Sequence, residues 1–350
     1  MKAAVFYGKE DLRIEEAPEP TPGPGQVKVR VAYAGICGSD VHTYFSPESN
    51  PFDLETPHPL TGAKLPQILG HELGGTIVEL GPGVTGVEVG DRAAVHPIVA
   101  TCGECASCRG GVPMTCRLMA SLGTNANGGG LAEYVVVGVS QLHLIPEGLE
   151  LRMATLVEPM AVGWHAMVRS GVRPGGTALV LGAGPIGIGA WNALRARGVE
   201  KLLVSEPNAE RRAAIAALGA RTIDPVADDL AAAVGELTGG EGVQVVIDAA
   251  GAPAAFTAGV ASLAPGGRMV EVAAYERPAE IQPTDLMIGE REIVGAVGYQ
   301  PDDWDGIIAA MAQGGYETTG WVTERELDDV VDAIHALRAG QGSKILIRIG

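Results

Sequence analysis

Basic residues are scarce in this 350-residue sequence: 25 Lys and Arg stand against 42 Asp and Glu, for a formal net charge of −17 and a pI near 4.8. Affinity for a phosphate backbone comes chiefly from clustered cations that displace counterions, and anionic bilayers select the same feature. Neither nucleic acid nor a membrane is therefore expected as a partner. Long apolar runs are missing too. The longest, "ALVLGAGPIGIGAW" at 178–191, is interrupted by glycines and falls short of the roughly 20 residues that span a bilayer. The opening stretch "MKAAVFYGKEDLRIEEAPEP" reaches Lys9, Glu10 and Asp11 without the apolar segment and cleavage site of a secretory leader, so a cytoplasmic location is expected. Aromatic residues make up only 4% of the chain, yet 46% is hydrophobic and the mean hydropathy is +0.18, so aliphatic side chains must build the core and a disordered composition is excluded. Cysteine is sparse, with five in the chain. In a reducing compartment thiols stay free unless they hold metal or do chemistry, so these read as ligands rather than as a disulfide framework.

The length suggests two domains. Up to about residue 150 the chain offers β-type runs such as "QVKVRVAYAG", "GGTIVELG" and "LAEYVVVG", separated by Gly, Pro, Asp and Asn. From Glu158 the texture changes to strand and helix in alternation: "TALVLG" into "PIGIGAWNALRARG", "KLLVSE" into "AERRAAIAALG", then "VQVVIDAAG", "GGRMVEVAA" and "REIVGAVG". Short aliphatic strands joined by Ala-rich helices predict a parallel sheet covered on both faces. After about Gln300 the helical stretch "ELDDVVDAIHALRAG" and the β-like "SKILIRIG" are expected to return to the first domain, which makes the second an insertion.

Gly182, Gly184 and Gly187 stand in G-x-G-x-x-G spacing after an apolar strand and before a helix. The first permits a tight turn, the second lets backbone approach a pyrophosphate, the third allows close helix packing, and the helix N-terminus donates free N–H groups to phosphate. The loop residues Pro185 and Ile186 belong to the same turn. Glu206 ends the next strand, 19 residues past Gly187, where an acid hydrogen-bonds the adenosine ribose and repels a 2′-phosphate; this predicts NAD over NADP. Arg211 is close enough to soften that preference. Asp248, ending another strand, is either a cofactor contact or a structural cap.

"GICGSDVH", "ILGHELGG", the C-x-x-C-x-x-C-x7-C cluster, "LVEPMAVGWHAM" and "VLGAGPIG" occur in the order and approximate spacing of the zinc-dependent medium-chain alcohol and polyol dehydrogenases, which the whole chain resembles. The segment "PHPLTGAKLPQILGHE" and the Glu of "VEP" resemble the 2,3-butanediol and sorbitol dehydrogenase branch. The resemblance implies an α/β architecture: a β-rich GroES-like catalytic domain over 1–157 and 300–350, with a structural-zinc lobe at about 96–120, and an inserted doubly wound Rossmann NAD-binding domain over 158–299. It implies two zinc ions. One is structural, on Cys102, Cys105, Cys108 and Cys116, whose four thiolates leave no position open for substrate. Two disulfides, a thiol redox pair and a rubredoxin-like iron site are the alternatives there. Cys37 is then without a cysteine partner. The resemblance assigns it to a catalytic zinc with His71 and Glu158, and Glu72 as alternative ligand or neighbour.

By the same resemblance Ser39 accepts the alcohol proton, His42 ends the relay, and Asp40 orients the metal-binding imidazole. His165 is expected to pack or cap, while His58 and Tyr44 are loop residues that border the substrate or serve structure alone. The expected reaction is reversible hydride transfer from a secondary alcohol to NAD, best matched to 2,3-butanediol and acetoin. The alternatives are a sorbitol or xylitol-type polyol, L-threonine, or a zinc-stabilised NAD-sensing protein without turnover. The expected partners are a small alcohol or ketone and further copies of the chain, as a tetramer in preference to a dimer.

Overall fold

In the computed structural model, which describes residues 1–50 and 52–350, the chain divides into two compact units, Met1–Glu158 with Val322–Gly350, and Pro159–Trp321. The first is β-rich. Among the described residues its main sheet runs in the order Leu142–Leu144, Arg92–Val95, Glu72–Leu80, Gln26–Gly35, Lys344–Arg348 and Val322–Glu326, with Tyr134–Gly138 also paired to Gln26–Gly35. Alternating Val27, Val29 and Val31 are fully buried against Leu73, Ile77, Val95 and Val135, as a strand with one face in the core requires. A two-stranded ribbon, Ile98–Ala100 with Ala120–Ser121, forms the base of the loop that carries four cysteines.

The second unit holds a six-stranded parallel sheet in the order Arg221–Ile223, Lys201–Ser205, Thr177–Leu181, Val243–Asp248, Leu263–Glu271 and Glu292–Gly295. Numbered along the chain this is 3-2-1-4-5-6, the doubly wound order with its reversal beside the strand that leads into the glycine turn. The strands are aliphatic because both faces are covered: Leu179, Leu181, Val246 and Met269 are all at most 1% exposed. No helix among the described residues is long and apolar enough to cross a membrane.

Two details differ from the sequence reading. The return to the first unit comes at Val322, not near residue 300. The helix Pro301–Ala312 stays with the second unit: Trp304 is fully buried, Asp303 lies 3.0 Å from His165, and Gly306 packs against the Trp164 ring. The strand Arg221–Ile223 was not foreseen, because three residues, "RTI", carry no apolar run.

Candidate active site

Two groups of potential metal ligands assemble among the described residues: Cys102, Cys105, Cys108 and Cys116, and separately Cys37, His71 and Glu72. Each group keeps its ligand atoms within 4.8 Å of one another.

In the four-cysteine loop the sulfurs lie 3.9 Å (Cys102 to Cys108), 3.5 Å (Cys105 to Cys108) and 3.6 Å (Cys116 to Cys102) apart, and no disulfide joins them. A tetrahedron with Zn–S bonds of about 2.3 Å has edges of about 3.8 Å, so these thiols stand at the spacing a single ion demands and far beyond a disulfide. Backbone N–H groups point inward as well: Cys105 donates to the Cys102 sulfur at 3.4 Å and Cys108 to the Cys105 sulfur at 3.5 Å. The Cys108 N–H lowers the Cys105 thiol to about 6. The loop is held by little else, since Cys116 alone is buried between 102 and 116.

The second group is built by two elements of the first unit. Cys37 precedes the helix Gly38–Phe45, and His71 precedes the strand that Glu72 begins. Asp40 ties the first two together: one carboxylate oxygen accepts the Cys37 backbone N–H at 2.9 Å, and the other lies 3.5 Å from His71 Nδ1. That leaves His71 Nε2 facing Ser39, whose Oγ is 3.5 Å away. Glu158 is buried in the first turn of the helix Val157–Ser170. It stands outside the three-residue group, but its charge reaches Lys344.

Lys344 escaped the sequence reading. Its ammonium lies 2.6 Å from each Glu72 oxygen, with Lys344 3% and Glu72 0% exposed. The only signal in the sequence was a lone cation heading the apolar run "KILI". Electrostatics define the pocket's preference. Burial opposes a charge on His71, but Asp40 and Cys37 outweigh it and raise the imidazole well above its ordinary value. Burial likewise opposes the Lys344 charge, and Glu72, Cys37 and Glu158 overcome it. The pocket is electronegative and selects a cation, and its mixed S, N and O donors suit zinc.

His42 is exposed, and its Nε2 lies 2.8 Å from Ser49 Oγ. Tyr44 is not a loop residue bordering the site. It lies within the helix Gly38–Phe45, 4% exposed in the core beside His335. His58 does lie in a loop, where its Nδ1 accepts the Leu60 N–H.

In the second unit Gly182 adopts φ +91°, in the region that favours glycine, and a Cβ at Gly187 would collide with the Gly182 carbonyl. A Cβ at Gly184 would meet no protein atom within 4 Å, so the turn is open at that point. Pro185 is the first residue of the helix Pro185–Ala196, followed by Ile186. Glu206, 4% exposed, accepts the Ala183 N–H at 2.7 Å and the Asn208 N–H at 2.8 Å, so the acid is locked against the glycine turn. Arg211 is half-buried and its backbone N–H is capped by Asn208. Asp248 is fully buried and accepts the Ala250 N–H at 2.8 Å and the Tyr275 hydroxyl at 2.5 Å.

Residues 23–147 match the family described as alcohol dehydrogenase GroES-like domain, and residues 185–313 match the zinc-binding dehydrogenase family. The chain therefore belongs to the zinc-dependent medium-chain alcohol dehydrogenases, oxidoreductases that act on CH–OH donors with NAD. It is 38% identical to the (R,R)-butanediol dehydrogenase of Bacillus subtilis over 335 residues, covering 95% of this chain and 94% of that one. It is 34% identical to the sorbitol dehydrogenase of Halalkalibacterium halodurans, covering 99% of each. A crystal structure of 2R,3R-butanediol dehydrogenase from Bacillus subtilis superposes with a TM-score of 0.92 at 37% identity, over 100% of this chain and 99% of that one.

Proposed function

We propose that this alcohol dehydrogenase oxidises a vicinal secondary diol of the 2,3-butanediol type to the hydroxyketone and catalyses the reverse reduction, with NAD as hydride carrier. The observation that carries the proposal is the meeting of Cys37 and His71, with the Glu72 carboxylate within 4.8 Å of their ligand atoms and the Ser39 hydroxyl 3.5 Å from His71 Nε2. The relatives named butanediol dehydrogenase supply the substrate class.

Cys37, His71 and Glu158 hold a catalytic zinc, with Glu72 beside it in its ion pair to Lys344. Cys102, Cys105, Cys108 and Cys116 hold a structural one. Zinc bound at the first site supplies Lewis acidity that favours loss of the alcohol proton. The rest is done by the chain. Asp40 fixes the His71 ring through Nδ1 and keeps Nε2 directed inward. Ser39 takes the alcohol proton because a hydroxyl both accepts and donates, and it is exposed at the helix start. His42, three residues on and on the same helix face, carries the proton to solvent, its ring held by Ser49. NAD held by the second unit would supply the two-electron acceptor that balances oxidation of the alcohol. Gly182 to Gly187 receive the pyrophosphate, and Glu206 recognises the adenosine ribose.

We assign the protein to the cytoplasm and to a homo-oligomer, a tetramer in preference to a dimer. In support, Glu292–Gly295 is an edge strand among the described residues, with Met287 71%, Ile288 76% and Val297 54% exposed around it. The test is zinc content by elemental analysis together with NAD reduction on the butanediol stereoisomers, sorbitol and threonine. Activity on none of the diols overturns the substrate class. Undiminished turnover and metal content in Cys37→Ala overturn the catalytic site.

A further inference from the structure

Lys344 is buried in the place where a charge costs most, and every proton of its ammonium is used. It donates to both oxygens of Glu72 at 2.6 Å and to the Ile36 carbonyl at 3.1 Å. The sheet explains how the two charges meet. Gln26–Gly35 lies between the strands that carry them, with Gly35 opposite Glu72 on one side and Leu346 on the other. A Cβ at Gly35 would run into the Glu72 carboxylate, so this glycine leaves the gap through which the pair forms.

A buried ion pair adds little net stability over apolar residues of the same volume, since desolvation consumes most of the attraction. Its location suggests a different role. The Glu72 carboxylate stands within 4.8 Å of the Cys37 sulfur and a His71 ring nitrogen. An unrestrained carboxylate there is a competent zinc ligand, and a fourth protein ligand closes the position that an alcohol oxygen must occupy. An ammonium on both oxygens competes for the same lone pairs and is itself repelled by a dication.

We infer that Lys344 is a positioning residue that keeps Glu72 as an ion-paired neighbour of the catalytic metal rather than its ligand, and so holds one coordination position open for substrate. The inference rests on the assignment of Cys37, His71 and Glu158 as that metal's ligands. Through Ile36 the same ammonium also fixes the backbone just before Cys37, so the thiolate and the restrained carboxylate are positioned together.

The test exchanges the metal of the Cys37 site of the whole enzyme for Co(II) with zinc retained in the four-cysteine loop, so that the visible spectrum reports coordination number and thiolate ligation at that site, in Lys344→Met, Lys344→Arg and the double variant Lys344→Met/Glu72→Gln. Lys344→Met is expected to keep its metal, lose turnover by about 10–100-fold, and show a cobalt spectrum altered towards an added oxygen ligand that no longer responds to an alcohol analogue. The arginine variant preserves the charge pair and keeps the wild-type spectrum. The double variant, with no carboxylate at position 72, returns to the wild-type spectrum and recovers part of the turnover. A wild-type spectrum in Lys344→Met refutes the inference. So does parallel loss of metal and activity that the double variant does not repair, since that is the mark of a merely structural pair. The underlying site is tested separately: if Cys37→Ala leaves the thiolate-to-cobalt band of the wild type undiminished, the ligand assignment fails and the inference falls with it.

Discussion

Glu271 ends the strand Leu263–Glu271 and stands in register with Asp248 at the end of the neighbouring strand, so two carboxyl groups lie side by side at the C-terminal end of the parallel sheet. One Glu271 oxygen accepts the Ala273 N–H at 2.8 Å; the other is shielded from solvent with no hydrogen-bond partner among the described residues. Burial, and secondarily the Asp248 charge, push this carboxyl from 4.5 up to about 7. A carboxyl raised in the native state binds its proton more tightly folded than unfolded. The native chain therefore carries the extra proton between about 4.5 and 7, and stability falls as pH rises through that window. The full shift corresponds to about 3 kcal/mol, and partial solvent screening of a half-buried group reduces it to about 1–2 kcal/mol. Glu271→Gln mimics the protonated form at every pH. All four tryptophans lie in the second unit, so tryptophan fluorescence during urea denaturation reads the relevant unfolding. Between about pH 5 and pH 8 the wild type is expected to lose about 1–2 kcal/mol relative to the variant. Parallel stability curves for the two proteins over that range would refute the reasoning.

The glycine turn separates folding from binding. Gly187→Ala forces a methyl against the Gly182 carbonyl and is expected to cost about 1–3 kcal/mol of stability along with cofactor binding. Gly184→Ala meets no protein atom within 4 Å, so melting should stay near wild type while NAD affinity falls in a calorimetric titration; an unchanged dissociation constant removes the pyrophosphate from that turn. Glu206→Ala removes both the ribose acceptor and the repulsion of a 2′-phosphate, and the preference for NAD over NADP in steady-state kinetics should drop by about tenfold or more. A ratio that stays fixed would assign Glu206 to holding the Ala183 and Asn208 N–H groups alone.

The parts of this molecule that were legible in sequence are those where a local pattern reports a local constraint. The aliphatic strands, the glycine turn and the cysteine spacing each carry their geometry within about a dozen residues, and a parallel sheet covered on both faces follows once strands and helices alternate, although its strand order does not. What escaped depends on contacts distant in the chain. Lys344 lies 272 positions from Glu72, and no periodicity links them. The helix Pro301–Ala312 was assigned to the wrong unit because its attachment is made by Asp303 to His165, 138 positions away. Tyr44 read as a loop residue because "GSDVHTYF" mixes polar and aromatic types; its burial beside His335 is set by a helix from the other end of the chain.

The two thiol sites should also part under chelation, and for opposite reasons. The Cys37 pocket gathers Cys37, Asp40, Glu72 and Glu158 around the single cation of Lys344, an excess of negative charge that a divalent ion offsets. When the ion leaves, the pocket can compensate itself at His71, which Asp40 and Cys37 already incline to take up a proton. The unit keeps its Val- and Leu-rich core, so the fold survives. The cysteine loop has no such reserve. Between 102 and 116 it buries only Cys116 and exposes Val112 at 42%, so its order rests on the metal. A chelator added in steps should abolish turnover with the first equivalent of zinc while circular dichroism and melting temperature hold, and lower the melting temperature with the second. Loss of structure in step with the first equivalent, at full activity per folded molecule, would reverse the assignment of the two sites.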